Sequence, residues 1–216
     1  MEIRTRDIKV EEIIKGAKYL GCGASKEAYL KDGIVYKVPR GRFLIQEGGF
    51  NCNLHWPSTM EEVDEFLEEV DAYEPALVWP LGQFATELVV WNAIQDLRAT
   101  GLEINCFAEI KDYYFDKNGI IVIEQEYTNG ELGWDDDTEH LWDEMEEEIK
   151  KIEPIFITEY GISLRDIRDG NCGIANGKLK LFDFGISTTT QLDDYGSYSD
   201  FEEESYDEYN SCEGSY

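Results

Sequence analysis

The sequence predicts an α+β fold with an antiparallel sheet in its first half. Three observations lead there. The pattern of elements runs strands, helices, hairpin, helix, then short strands, without regular βαβ alternation. Two alternating segments are closed by Gly-containing turns, Asp32-Gly33 and Asn118-Gly119, the signature of hairpins. Finally, 216 residues with 42% hydrophobic and 13% aromatic side chains can build the core of one domain, or of one domain in two lobes.

Taken in order, residues 16–39 read as two strands around the turn Lys31-Asp32-Gly33. Residues 59–72 read as a helix, because Met60, Val63, Phe66, Leu67 and Val70 share one face and acids fill the other. Pro75 and Pro80 bracket its end. A second helix is expected over 84–99, beginning after Gly82. Residues 104–127 form a hairpin turned at Asp116-Lys117-Asn118-Gly119. A third helix is expected over 137–152, with Leu141, Trp142, Met145, Ile149 and Ile152 as its apolar stripe. Short strands follow, two of them around Asn176-Gly177, ending in Lys178-Leu179-Lys180-Leu181-Phe182-Asp183-Phe184.

Charge narrows the function. The chain carries 47 acids against 19 bases, a formal net charge of −28. Such a surface disfavours direct binding to nucleic acid backbone, which requires a basic face. It equally disfavours docking to an anionic membrane. No apolar run approaches the roughly 20 residues of a bilayer span. Residues 1–16 lack the apolar block of a secretory signal, so a cytoplasmic location is expected. Five cysteines without a CxxC pair, and only His55 and His140 beside them, argue against a zinc site. Residues 188–216 are rich in Ser, Tyr and acid, hold no base, and read as a mostly disordered tail. Its Ser and Tyr residues are plausible autophosphorylation sites.

Chemistry concentrates in Leu164-Arg165-Asp166-Ile167-Arg168-Asp169-Gly170-Asn171, followed by Asp183-Phe184-Gly185. Earlier stand Leu20-Gly21-Cys22-Gly23-Ala24-Ser25-Lys26, then Ile34-Val35-Tyr36-Lys37, and later Ile121 to Gly130. In this order the segments resemble the protein kinase-like superfamily: a glycine-rich loop, a lysine strand, a strand into an interlobe hinge, R-D-x-x-x-x-N and D-F-G. The resemblance covers about residues 16–187. It implies a two-lobed fold, with an N-lobe of about 1–128 and a truncated helical C-lobe of about 129–187.

The resemblance also implies roles. Asp166 faces the attacking hydroxyl, and Asn171 and Asp183 offer oxygens to Mg²⁺. Arg168 can stand near the γ-phosphate. Gly21 and Gly23 let backbone N–H groups approach ATP phosphates. Lys37 contacts the α- and β-phosphates, paired with Glu87, although Glu61, Glu65 and Glu69 are alternative partners. Gln125 takes the gatekeeper position, and backbone groups of Glu126 and Thr128 meet adenine. ATP and Mg²⁺ are therefore the expected cofactors.

The departures are equally specific. Lys26 replaces the third glycine of the loop, as either an exposed turn lysine or a phosphate contact. Leu164 replaces the usual His. The 38–86 segment reads as a long insertion. Only 31 residues follow Gly185, without an A-P-E signature. The chain is therefore similar to compact atypical kinases, viral ones included, which would place it in a host cytoplasm. An atypical protein Ser/Thr kinase is expected, with a protein acceptor favoured over a small molecule. A nucleotide-binding pseudokinase is the alternative. So is an acidic decoy that captures a basic protein partner through charge. Cys22 and Cys172 read as small packing residues, not nucleophiles.

Overall fold

The computed structural model describes residues 1–42, 45, 55–129, 138–165, 167–185 and 187–188. The 188–216 tail, apart from Thr188, and Asp166 lie outside these described residues.

A five-stranded antiparallel sheet forms the N-terminal part, in the order β1-β2-β3-β5-β4. Its strands are β1 Lys18–Cys22, β2 Lys26–Lys31, β3 Ile34–Pro39, β4 Ile110–Phe115 and β5 Ile121–Glu126. Where the sequence suggests two strands over 16–39, there are three. The β2–β3 turn is tight because Asp32 (φ 52°) and Gly33 (φ 78°) both adopt positive φ. Such turns match the natural strand twist. The turn sets Lys31 opposite Ile34, and hence Ala28 opposite Lys37. This register decides which side chains reach the cleft.

A short helix, α1 (Val10–Ile13), precedes the sheet. The amphipathic helix α2 (Met60–Tyr73) lies between β3 and β4 in the chain, close to its predicted bounds, with the Thr59 side chain accepting from Glu62 N–H. Met60, Val63, Phe66 and Val70 are its buried stripe. Helix α3 (Val78–Ala99) begins six residues before its predicted start. Pro80 does not bracket a break. It sits in the first turn of α3, where a missing N–H costs no helical bond. α3 is buried almost all round, and α2 packs along it. At Gly82 an added Cβ would meet Leu67 Cδ2 of α2 at 2.7 Å.

Helix α4 (Glu139–Tyr160) runs eight residues past its predicted end, through Pro154. The apolar stripe explains this. Met145, Ile149 and Ile152 are continued by Phe156, which is fully buried and faces Phe107 at 6.3 Å. That packing offsets the backbone bond lost at proline. Gly161 ends the helix in the left-handed conformation, φ 64°. Beyond it lie the small strands β6 (Ser163–Leu164), β7 (Cys172–Ala175), β8 (Lys178–Leu181) and β9 (Ser187–Thr188). The β7–β8 hairpin turns at Asn176-Gly177, as its sequence predicts. Together these elements make an α+β arrangement of a five-stranded antiparallel sheet, two long helices and, after them, short strands.

Candidate functional site

Strand parity builds the site. Residues opposite one another in an antiparallel pair share a face, and so do residues two apart on one strand. Lys37 pairs with Ala28 on one side and Ile123 on the other. Lys26, two residues before Ala28, and Gln125, two after Ile123, therefore share the face of Lys37. That face looks toward α3 and the Asp183-Phe184-Gly185 segment.

Glu87 comes from the middle of α3 and has no solvent exposure. Lys37 Nζ donates to Glu87 Oε1 at 2.6 Å, and also to the Phe182 carbonyl at 2.5 Å. Lys26 Nζ donates to the other oxygen, Glu87 Oε2, at 2.6 Å, and to Asp183 Oδ1 at 2.7 Å. Both lysines are buried. Of the acids weighed as partners for Lys37, Glu87 is the one in contact.

Lys26 is thus not an exposed turn residue. Burial disfavours its charge, but Asp183 and Glu87 outweigh burial and raise its pKa. For Lys37 burial prevails, the nearby Lys26 charge adds to it, and its pKa is lowered despite Glu87. Burial would raise the Asp183 carboxyl, yet Lys26 and Lys37 hold it well below the ordinary carboxylate range.

The D-F-G segment is fixed by close packing. Phe184 is buried and meets Phe107 edge-on at 5.4 Å. Gly185 lies so near α3 that a Cβ would stand 2.5 Å from the Gln83 carbonyl and 2.7 Å from Lys26 Nζ. Ser25 Oγ donates to Gln83 Oε1 at 2.6 Å, tying the glycine loop to the same turn of α3.

Asn171 closes a short 3-10 turn, Asp169–Asn171, and is buried. Its carbonyl accepts from Phe182 N–H at 2.8 Å, which sets it beside the backbone leading into Asp183. Arg168 precedes that turn and is exposed, its carbonyl accepting from Asn171 N–H at 2.9 Å. In the loop, Gly21 has φ 152°, open to glycine but strained for other residues, at a register shift between β1 and β2. Among the described residues, neither Gly21 nor Gly23 has an atom within 4 Å of where a Cβ would be, so the loop presents bare backbone to them.

At the end of β5, the Glu126 N–H is already bonded to the Glu109 carbonyl at 2.8 Å. That occupies one of the backbone groups of Glu126 and Thr128 expected to meet a base. The Glu126 side chain turns instead to Lys180 Nζ at 2.6 Å. Thr128 is buried, beside Gly173 of β7, where a Cβ would stand 2.7 Å from Thr128 Oγ1. Gln125 Nε2 is buried with no hydrogen-bond partner among the described residues. Burial and Asp169 push the Cys172 thiol up to about 12, so it holds no thiolate near neutrality.

Sequence reasoning left Lys26 undecided, although the signal was present. The two-residue Asp32-Gly33 turn fixes the β2–β3 register, and with it the shared face of Lys26 and Lys37.

No protein-family model matches the chain, and no curated protein does. Among solved structures it is similar to the crystal structure of Rad53 residues 1–466 in complex with AMP-PNP. That likeness has 16% sequence identity and a TM-score of 0.44, over 82% of this chain. The chain spans 42% of the length of that one.

Proposed function

We propose that the chain is an ATP- and Mg²⁺-dependent phosphotransferase that passes the γ-phosphate to a hydroxyl, most simply on a protein Ser or Thr. The observation that carries this reading is the buried Lys37–Glu87 ion pair between β3 and α3, set beside Asp183. Burying two cations around one fully buried anion is costly unless each is paired, here by Glu87 and the partly exposed Asp183. A cluster of this kind between a bare glycine loop and a D-F-G segment suits the gripping of phosphates.

The residues present fit both cofactors. Buried ammonium groups, open glycine backbone and Gln125 Nε2, unpartnered among the described residues, suit a nucleotide. Mg²⁺ takes one or two side-chain oxygens, together with phosphate and water. Asn171 and Asp183 are the residues to hold it. When bound, it neutralises charge on the transferring phosphoryl group. Lys37, steadied by Glu87, holds the α- and β-phosphates. The Glu126 carbonyl and Thr128 position the base. Asp166 orients the acceptor hydroxyl and takes its proton, while Arg168 approaches the γ-phosphate from the loop.

A second reading rests on one contact. Lys26 occupies Asp183 Oδ1, as suits a module that binds nucleotide without turnover. The −28 charge also proposes a basic protein as partner. Purified protein, beside Asp183→Asn, is incubated with γ-labelled ATP and Mg²⁺, and label is located by mass spectrometry. Label on wild type alone supports transfer. No label, with a melting temperature raised by Mg-ATP, supports the binding module. Neither label nor shift overturns both nucleotide readings.

A further inference from the structure

A phosphate-gripping cleft needs one lysine held by one acid. This cleft buries two lysines on a single glutamate. Lys26 and Lys37 share one sheet face, and each takes one oxygen of Glu87, at 2.6 Å in both cases. Neither has the whole carboxylate. Lys26 completes its pairing with Asp183, at 2.7 Å. The four charges sum to zero, and Lys26 is the cation held to the D-F-G carboxylate. The fold also makes room for this ammonium. Lys26 Nζ would stand 2.7 Å from a Cβ at Gly185, so even alanine there would crowd it. Phe84 of α3 adds its ring face, 5.8 Å from Nζ.

From this geometry we infer that Lys26 is a second nucleotide-binding residue, which exchanges the Asp183 carboxylate for phosphate oxygens of a nucleoside triphosphate. The inference rests on the cleft being a nucleotide site. It follows from how an ammonium bonds. Lys26 has three donors and gives two of them to carboxylates. An arriving phosphate brings more anionic oxygen than one shared carboxylate can offer. Lys26 keeps Glu87 and turns from Asp183, which leaves Asp183 Oδ1 available for a divalent cation. In the free protein the same contact holds the D-F-G segment to the sheet. A glycine at position 26 could do neither.

The test uses the full chain and an acyl-phosphate derivative of ATP, which acylates amines lying against the phosphates. Modified lysines are mapped by mass spectrometry, with and without excess Mg-ATP. The expected result is acylation of both Lys26 and Lys37, each suppressed by competing ATP. Acylation of Lys37 alone overturns the role of Lys26 and leaves the nucleotide site standing. Absence of any ATP-suppressed lysine overturns both. In parallel, Lys26→Met and Lys26→Gly are titrated with a fluorescent ATP analogue, after circular dichroism shows them folded. Each is expected to lose about tenfold in affinity, the worth of one charge-assisted hydrogen bond. Unchanged affinity in the folded variants overturns the inference.

Discussion

Gly185 and Gln83 meet at a distance no side chain would tolerate: a Cβ on Gly185 would stand 2.5 Å from the Gln83 carbonyl oxygen. Backbone of the D-F-G segment is therefore seated directly on backbone of α3. The obstacle is a helix carbonyl, not a flexible side-chain tip, so it cannot step aside. Gly185→Ala is expected to lower stability by about 1–3 kcal/mol through overpacking. It should also weaken any nucleotide-induced rise in melting temperature. Urea unfolding with and without Mg-ATP measures both. Wild-type values would mean that the two segments separate easily.

Glu87 makes a second expectation sharp. It is fully buried and carries an ammonium on each oxygen. Glu87→Ala leaves buried Lys37 with only the Phe182 carbonyl and Lys26 with only Asp183, and a cost of about 3–5 kcal/mol follows. The pair Lys150–Glu146 on α4 is a built-in control. Its side chains are 70% and 57% exposed, and Glu146→Gln should change nothing measurable. Equal denaturation midpoints for the two variants would contradict this picture.

Acid should weaken the join between β5 and the β7–β8 hairpin. Burial would raise the Glu126 carboxyl, but Lys180 and the Glu109 N–H hold it below its ordinary 4.5. A carboxyl lowered in the folded state contributes stability above its unfolded value. That contribution fades as pH falls through the folded value. Lys180→Met removes the partner, so wild type should out-melt it near neutrality and lose the advantage below about pH 4. Parallel melting curves from pH 3 to 7 would refute the assignment.

Asp116 anchors the N-terminal segment to the β4–β5 turn. Its Oδ1 accepts from Asn118 and Ile120 N–H groups, both at 2.8 Å, and its Oδ2 from Val10 N–H at 3.1 Å. The residue is fully buried. Asp116→Ala leaves these donors without an acceptor, at about 1–3 kcal/mol for each one that stays dry. Asp116→Asn keeps one oxygen and should cost less. A loss under about 0.5 kcal/mol for the alanine variant would count against the anchoring role.

Much of this was legible in the sequence, for identifiable reasons. Hairpins announced themselves because Asp32-Gly33 and Asn176-Gly177 are turn dipeptides whose geometry follows from positive φ. α2 was legible from its one-sided stripe. The positions of Lys37, Glu87 and Asp183 followed from motif order, and their contacts required the fold. The start of α3 was hidden because proline is read as a breaker, whereas Pro80 lies in a first turn. The end of α4 was hidden for a related reason: Phe156 packs hard enough to carry the helix past Pro154. Lys26 was ambiguous because its role depends on which face of β2 it occupies.

The β7–β8 hairpin is gripped on both edges. Asn129 and Ile174 exchange two backbone hydrogen bonds of 2.9 Å at one edge. At the other, Leu181 N–H donates to the Cys106 carbonyl at 2.8 Å and Ala108 N–H to the Leu181 carbonyl at 2.9 Å. Asp183 leaves this hairpin two residues later. Its carboxylate thus travels as cargo of the sheet side of the molecule, on a bracket made of main chain. Whatever breathing the helical part undergoes, the main chain that carries Asp183 stays tied to the two ends of the sheet by that bracket, and any exchange of the Lys26–Asp183 contact is left to the side chains.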